Sequence, residues 1–265
     1  MDFPQEFIGS VQRVFGDSGR EWLRRLPELI VQCRSKWGLR DGEMLPSARM
    51  NYIEFTTTQA GAPVVLKIGV RHPELFTEME ALRLYAGNRA VPLLGADLEL
   101  GAILIQRLRP GTMLWQLGDN AEETRIAASI MRELCVPVPS SHGLPTFERW
   151  VERAFRLTRT QWDPTELMPR HLLDRAEAAF EEIQRSSNAD VVLHGDLHHE
   201  NMLLDAESGW TAIDPKGKIF VRGEYWNVES ESLVADSGAI AEGEAVEVVG
   251  VDGLSLRVKR AARST

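Results

Sequence analysis

The sequence predicts an α+β fold: a small β-rich lobe, then a helical lobe, then a short all-β segment. Apolar residues alternate over residues 51–57 and 63–69, which is typical of a β-hairpin. Between residues 120 and 185 the apolar residues instead recur at helical spacing. Beyond residue 217, short strand-like runs separated by glycine-containing turns replace the helices. We therefore predict three parts, at residues 1–107, 108–217 and 218–260.

The elements follow in chain order. In the β-rich lobe we predict a helix that Pro27 kinks or divides, then a hairpin, a helix and a strand; these lie at residues 18–37, 51–57 with 63–69, 73–85, and 102–107. Three helices and a short apolar run form the helical lobe, at residues 120–134, 146–160, 170–185 and 190–193. Two pairs of short strands complete the chain, at residues 218–221 with 225–228, and 245–251 with 254–259.

Composition narrows the class of protein. The net charge of -9 and pI near 5.3 argue against a general nucleic-acid-binding protein, which would carry a basic surface. No apolar run approaches the roughly 20 residues that a membrane-spanning helix needs, so we predict a cytoplasmic protein without a membrane span. Cys33 and Cys135 form no metal-binding or disulfide pattern, and both are expected in the core. Three tryptophans at helical spacing are also expected in the core: Trp115, Trp150 and Trp162.

The densest chemical signal lies late in the chain. It is the run His194-Gly195-Asp196-Leu197-His198-His199-Glu200-Asn201, followed thirteen residues after Asn201 by Asp214-Pro215. Phosphoryl transfer needs a carboxylate that orients an acceptor hydroxyl and hard oxygen ligands that hold magnesium against phosphates. Apolar runs flank the turn between Asn201 and Asp214, so a hairpin would bring these two residues to the same end. The spacing therefore indicates a phosphotransferase site.

The amino-acid sequence of this region resembles the Brenner-type motif of aminoglycoside phosphotransferases, in particular that of the streptomycin and hydroxyurea kinase branch. The resemblance spans about residues 5–217, and three upstream runs agree with it: Val65-Leu66-Lys67-Ile68, Glu80-Ala81-Leu82-Arg83-Leu84-Tyr85 and Leu108-Arg109-Pro110-Gly111-Thr112. It implies a two-lobed protein-kinase-like fold that uses ATP and Mg²⁺ to phosphorylate an aminoglycoside, most plausibly streptomycin-like, or hydroxyurea. By this resemblance Asp196 is the base or the group that orients the acceptor hydroxyl, and Asn201 and Asp214 bind the metal.

The same resemblance assigns the nucleotide-binding residues. Lys67 is expected to contact the ATP phosphates and to pair with Glu80, with Glu78 as the alternative partner one half-turn earlier. The segment from Gln106 to Leu108 is expected to form the hinge beside the adenine. Residues 45–52 should cover the nucleotide, although they contain no glycine; backbone amides can still cradle a phosphate there, because such a nest depends on conformation.

The end of the chain departs from this kinase pattern. After about Gly217 the expected closing helices are missing, so the kinase-like part is predicted to be truncated. Residues 217–226 and 240–254 instead resemble the C-terminal domain of the NfeD family, a small OB-fold barrel, which implies a possible protein partner. A non-catalytic kinase remnant fused to such a module is the first alternative, and a working OB-like module in membrane-protease assembly is the second.

His198 and His199 could suggest a zinc site, but the sequence places no third His or Cys ligand near them, so we expect them to pack in the loop.

Overall fold

The computed structural model describes residues 3–139, 142–161, 170–186, 190–220, 227–230, 246–252 and 255–260. These residues fall in two compact units. The first unit comprises residues 1–167 and 189–220, and the second comprises residues 168–188 and 221–265. Within the described ranges, no helix combines the length and the apolar character needed to cross a membrane.

Helix α1 is longer than the sequence predicts and runs over Gln5–Trp37. It is interrupted at Gly16, whose dihedral angles (φ 56°, ψ −127°) suit glycine because no Cβ opposes positive φ. Pro27 lies inside the helix, yet the non-helical dihedral angles are at Gly16, so the prediction that Pro27 divides the helix is wrong. The buried side chains recur along one face and pack on the sheet of the first unit: Phe7, Val11, Trp22, Leu26, Leu29, Ile30 and Cys33.

Five antiparallel strands form the main sheet of the first unit, in the order β1-β2-β3-β5-β4. They are β1 (Glu43–Met44), β2 (Asn51–Thr57), β3 (Pro63–Gly69), β4 (Leu93–Asp97) and β5 (Ala102–Gln106). In β2, buried residues alternate with half-buried ones, and the β2–β3 pair is the hairpin that the sequence predicts. Lys67 lies in central strand β3, opposite Ile53 of β2 and Ile103 of β5.

Helix α2 spans Pro73–Tyr85, as the sequence predicts. The His72 ring accepts a hydrogen bond from the Glu74 N–H at 3.3 Å, and Pro73 occupies the first turn, where its missing N–H is not needed. The buried face of α2 contains one carboxylate, Glu78, among apolar side chains. A buried charge needs a partner, so this position marks a polar site under the helix.

The remainder of the first unit combines helices with two small antiparallel sheets. The helices are α3 (Asn120–Glu133) and α4 (Phe147–Gln161), with 3₁₀ turns at Leu114–Leu117 and His199–Asn201. The first small sheet has the order β10-β9-β6, with β6 at Pro110–Met113, β9 at Met202–Asp205 and β10 at Gly209–Ala212. The second has the order β11-β8-β7, with β7 at Val136–Pro137, β8 at Val191–Leu193 and β11 at Lys218–Phe220. Helices and antiparallel sheets in one unit confirm the α+β class.

The second unit contains helix α5 (Arg170–Ser186) and a three-stranded sheet of β12 (Asn227–Ser230), β14 (Ser255–Arg260) and β13 (Val246–Asp252). The β13–β14 pair is antiparallel and closes at Asp252 and Ser255, which confirms the second predicted strand pair. In the described part of the first predicted pair, β11 pairs with β8 of the first unit and β12 runs parallel to β14, so that predicted pairing is wrong. Residues 221–226, which contain the predicted turn, lie outside the described residues.

The exposure of four residues tests their predicted place in the core. Cys33 is fully buried, and burial raises the pKa of its thiol to about 12. Cys135 is exposed, so its expected place in the core is wrong, although its neighbour Leu134 is buried. Trp115 and Trp150 are each about half exposed (52% and 49%), so their expected place in the core is wrong. Trp162 lies outside the described residues.

Candidate functional site

Two segments that each follow a strand are joined by hydrogen bonds at the centre of the site. Residues 194–198 follow β8, and residues 213–217 follow β10. The Lys216 N–H donates to the His194 carbonyl at 2.7 Å, and the His194 ring nitrogen Nε2 lies 3.0 Å from the Ile213 carbonyl oxygen. Asp214 itself has a positive φ of 58°, an uncommon conformation for a residue with a side chain. These contacts fix the backbone that presents Asp196 and Asp214.

His194 acts in this arrangement as a neutral hydrogen-bond donor. Burial lowers its pKa to about 4, although the hydrogen bond to the Ile213 carbonyl and the nearby Asp214 and Asp196 carboxylates oppose that shift. The Nε2 atom therefore carries the proton and donates to Ile213. The other ring nitrogen, Nδ1, is buried without a hydrogen-bond partner among the described residues.

Asn201 and Asp214 lie at the same end of the β9–β10 hairpin, as the sequence predicts. Met202 pairs with Ala212, and the Ile213 N–H donates to the Asn201 carbonyl at 2.9 Å. The Asn201 side-chain nitrogen donates to the Asp196 carbonyl at 3.0 Å, which ties the metal-binding candidate to the loop of the candidate base. Asn201 is 8% exposed. Its Oδ1 atom has no hydrogen bond within the described part of the chain and remains available to a cation.

Lys67 joins the sheet to this hairpin through two carboxylates. Its Nζ atom donates to Glu78 Oε1 at 2.8 Å and also to Asp214 Oδ1. The pairing predicted with Glu80 is wrong, and the alternative partner Glu78 is the one observed. Residues two apart on a helix point to nearly opposite sides, and only Glu78 lies on the buried face of α2. Glu80 instead forms a partly exposed ion pair with Arg83 at 3.7 Å.

In this triad one ammonium, that of Lys67, lies between two carboxylates. Burial alone would lower the pKa of Lys67, but the carboxylates of Glu78 and Asp214 outweigh burial and raise it. For Glu78, burial has the opposite effect and raises the pKa, whereas the Lys67 ammonium opposes that rise. For Asp214, the ammonium groups of Lys67 and Lys216 outweigh the effect of burial and hold its pKa at about 2. Asp214 is therefore an anion at neutral pH and suits a divalent cation.

The sequence reasoning missed Lys216. Its Nζ atom lies 3.9 Å from Asp196 Oδ2 and 3.7 Å from Asp214 Oδ2. The Thr77 hydroxyl donates to the Lys216 carbonyl at 2.6 Å, so the backbone of this residue is held from both the N–H and the C=O side. The only signal in the sequence was a lysine two residues after Asp214, and spacing alone did not reveal that its side chain turns back toward Asp196.

A cavity of about 490 Å³ opens beside the Lys67 amine. Its charged lining residues are Lys67, Arg71, Glu74, Glu78 and Lys216, and its apolar lining includes Phe15 of α1 and Met50 of the loop before β2. The predicted nucleotide-covering segment, residues 45–52, joins β1 to β2 and contains a turn in which the Ala48 N–H donates to Leu45 O. The cavity therefore has room for phosphate groups against two ammonium groups.

The predicted hinge links β5 to β6. The Gln106 N–H donates to Pro92 O at 3.1 Å, whereas the backbone groups of Leu108 make no hydrogen bond within the described residues. The next residue is fixed by Asp205, whose Oδ1 accepts the Arg109 N–H at 2.8 Å. Sequence reasoning did not identify Asp205, which also accepts hydrogen bonds from the turn after β9. Gln106 ends the interior strand β5, where it pairs with Val64 of β3, the strand that carries Lys67.

The two histidines of the motif do not form a metal cluster. Among the residues that the structure describes, no group of three or more His, Cys, Asp or Glu side chains is arranged to hold a metal ion. His199 Nε2 instead lies 3.9 Å from Oε2 of the buried Glu123 of α3. Glu123 Oε1 also accepts a hydrogen bond from the Gly118 N–H at 2.9 Å, so this carboxylate holds the turn before α3 in place.

Comparison with known proteins identifies the family of this chain. The model of the family described as aminoglycoside/hydroxyurea antibiotic resistance kinase matches residues 36–227. The chain belongs to this family. The match includes Lys67, Asp196, Asn201 and Asp214 but starts near the end of α1, so most of that helix lies outside the family's common part.

Individual relatives in this kinase family are moderately similar. Streptomycin 6-kinase of Streptomyces glaucescens is 27% identical over 220 residues, which cover 82% of this chain and 70% of the relative. Streptomycin 3''-kinase of Klebsiella pneumoniae is 31% identical over 210 residues, which cover 76% and 72%. Among solved structures, the choline kinase LicA of Streptococcus pneumoniae superposes with a TM-score of 0.52 at 15% identity, covering 74% of this chain and 70% of LicA. That last likeness supports the kinase-like fold alone.

A second family model matches the end of the chain. The NfeD-like C-terminal, partner-binding domain matches residues 203–260. This match overlaps the kinase match over residues 203–227 and therefore begins earlier than the sequence reasoning expected. The overlap contains Asp214, whose geometry is that of the kinase-like unit, paired with Lys67. The expected resemblance to both families is confirmed.

Proposed function

We propose that this protein transfers the γ-phosphate of ATP to a hydroxyl group of a streptomycin-like aminoglycoside or of hydroxyurea. The proposal depends on one observation: Lys67 bonds both Glu78 and Asp214, while the loop of Asp196 is joined to the same hairpin through Asn201. A buried amine, an anionic carboxylate and a second, more exposed carboxylate are the groups that phosphoryl transfer requires.

Magnesium is the proposed metal. Asp214 supplies an ionised carboxylate and Asn201 an amide oxygen, and Mg²⁺ prefers such hard oxygen ligands while keeping several waters. When bound, the ion would neutralise charge on the phosphate oxygens. Lys67 is the proposed phosphate contact, and the Glu78 carboxylate holds it in place from the buried side.

Asp196 is the proposed base. Its side chain is 42% exposed, so an acceptor hydroxyl has access to it from solvent. In the proposed reaction the hydroxyl oxygen forms a bond to the γ-phosphorus and the bond between that phosphorus and the bridging oxygen of ATP breaks. The hydroxyl proton passes to the Asp196 carboxylate and ADP leaves. Gln106 and Leu108 are the proposed adenine contacts, because the Leu108 backbone groups lack hydrogen-bond partners within the described residues.

The nature of the acceptor is proposed from the family and from charge. The family description names aminoglycosides and hydroxyurea, and the two streptomycin kinases are relatives of this chain. The net charge of -9 would favour a cationic aminoglycoside over neutral hydroxyurea. Residues 1–107 are the proposed nucleotide lobe and residues 108–217 the part that carries the catalytic loop. The cytoplasm, where ATP is available, is the proposed compartment.

A turnover assay tests the proposal. ATP consumption is measured with streptomycin, a panel of other aminoglycosides and hydroxyurea, for the wild-type protein and for Asp196→Asn. We expect Asp196→Asn to lower kcat by about 10²- to 10⁴-fold, the usual contribution of a positioned base. Asp17→Asn is the matched control, since Asp17 is an exposed carboxylate in α1 that pairs only with the neighbouring Arg20 among its described contacts. Equal turnover by wild type and Asp196→Asn would reject the site.

The NfeD-like match, which overlaps the segment that carries Asp214, is the observation behind a second candidate function. In that case the kinase-like unit would bind Mg-ATP without transferring phosphate, and the C-terminal segment would bind a protein partner. Nucleotide binding by the full chain, together with no transfer to any acceptor of the panel, would support this candidate over the first.

A further inference from the structure

Lys216 stands between the two carboxylates that the proposed reaction uses in different ways. Asp196 would receive the acceptor proton and Asp214 would hold the metal, and the Lys216 amine lies within 4 Å of both. Asp214 has its Oδ1 atom engaged by Lys67, so the oxygen that faces Lys216 is the remaining one, Oδ2. Among the described residues, Lys216 is the only cation within 4 Å of the Asp196 carboxylate.

The backbone of Lys216 is fixed, whereas its amine is not held tightly. The N–H donates to His194 and the carbonyl accepts the Thr77 hydroxyl. At 3.7 and 3.9 Å, the amine is beyond hydrogen-bond distance from either carboxylate, and the side chain is 30% exposed. A structural ion pair would be expected to close to direct contact, as Lys67 does with Glu78 at 2.8 Å. The amine is therefore free to turn toward another anion.

The cavity beside Lys216 indicates which anion this is. Lys216 and Lys67 line the same cavity of about 490 Å³, together with Arg71, Glu74 and Glu78, so a phosphate group that enters it meets both amines. Lys67 approaches from the sheet and Lys216 from the segment after β10. Since charge spreads over the oxygens of the transferring group, a second ammonium that also lies beside the proposed base Asp196 can stabilise that charge.

We propose that Lys216 is a catalytic residue whose ammonium contacts the transferring phosphoryl group. When no metal is bound, this ammonium lies near Asp214 Oδ2 and Asp196 Oδ2 instead. This role rests on the proposed phosphotransferase function. Lys216 keeps its proton throughout, so the proton of the acceptor still passes to Asp196. The divalent cation and the Lys216 ammonium compete for Asp214 Oδ2, because both are attracted to the same oxygen.

The competition gives a test in which two measurements move in opposite directions. In Lys216→Met we expect kcat to fall by about 10²-fold, as when a transition-state donor is removed. We expect the nucleotide-free variant to bind Mn²⁺ about threefold more tightly, because a competing ammonium is gone; that change equals about 0.6 kcal/mol. Mn²⁺ binding is measured on the full chain from the electron paramagnetic resonance signal of the free ion. Lys216→Arg keeps the charge and should retain more of kcat than Lys216→Met.

Lys36→Met is the matched control, since Lys36 forms one ion pair, with Asp97, at the edge of the main sheet. It should change neither kcat nor Mn²⁺ affinity. A merely structural Lys216 would predict that Lys216→Met weakens Mn²⁺ binding together with activity, and that outcome overturns the proposal, as does an unchanged kcat. If the wild-type protein transfers phosphate to no acceptor, the proposed function itself fails and this role fails with it, whereas an active wild type with an equally active Lys216→Met refutes only the role of Lys216.

Discussion

The buried pair of Lys67 and Glu78 allows a sharp test, because a second glutamate on the same helix serves as its control. Glu78→Gln keeps the shape of the side chain but removes the negative charge that faces Lys67 at 2.8 Å. Both side chains are only 7% exposed, so little solvent screens the loss. Breaking one side of a buried pair costs about 3 to 5 kcal/mol. Lys67 keeps Asp214 as a partner, so we expect the lower value, about 3 kcal/mol.

That loss should lower the melting temperature of the protein by about 6 to 12 °C, given about 2 to 4 °C for each kcal/mol in a unit of this size. Glu80→Gln removes only a half-exposed pair with Arg83 and should shift it by less than about 2 °C. The assay is thermal unfolding followed by circular dichroism at neutral pH. Equal melting temperatures for the two variants, or a larger loss in Glu80→Gln, would refute the assignment of Glu78 as the Lys67 partner.

Two further predictions concern the loop that carries the site. The unfolded chain protonates His194 near its ordinary pKa of 6.5, whereas the folded chain does so only near pH 4, so stability falls as the pH drops through this window. Urea unfolding of the wild type should show a loss of about 2 to 3 kcal/mol between about pH 7 and about pH 4.5, and His194→Gln should lack this loss. An identical pH dependence in both proteins would contradict this prediction. Gly217→Ala forces a Cβ to within 2.4 Å of the Thr77 carbonyl oxygen and 2.8 Å of a Leu144 methyl group at a φ of 57°, so we expect about 2 to 4 kcal/mol of destabilisation in the same assay. Gly143→Ala, where no atom lies within 4 Å of the new Cβ, should cost far less, and a similar cost for both would be inconsistent with this packing.

Local signals predicted most of the fold of the first unit. The β2–β3 hairpin and α2 have the bounds that periodicity and turn residues indicate, because period-two and period-3.6 patterns are read over neighbouring residues. Pairings between distant strands could not be predicted this way. β11 was assigned to a hairpin with the strand that follows it, yet it pairs with β8, some 25 residues earlier in the chain. Such a choice depends on which exposed strand edge needs a partner in the folded unit.

The candidate site shows the same division. Asn201 and Asp214 could be placed together from the hairpin that joins them, since its two strands are adjacent in sequence. The partner of Lys67 could not be fixed, because Glu78 and Glu80 differ only in which side of α2 faces the sheet, and that orientation is set by packing. Lys216 escaped notice for a similar reason. Its role depends on a backbone turn held by His194, a contact that no spacing rule contains.

The central claim is that Asn201 and Asp214 hold one divalent ion opposite the Lys67 amine. A crystal of the protein with Mn²⁺ and a non-hydrolysable ATP analogue tests it directly, through the anomalous signal of manganese. We expect one peak about 2.2 Å from oxygens of both Asn201 and Asp214, with phosphate oxygens completing its coordination beside Lys67. A manganese peak elsewhere, or a nucleotide bound with both side chains turned away from its phosphates, would contradict this account.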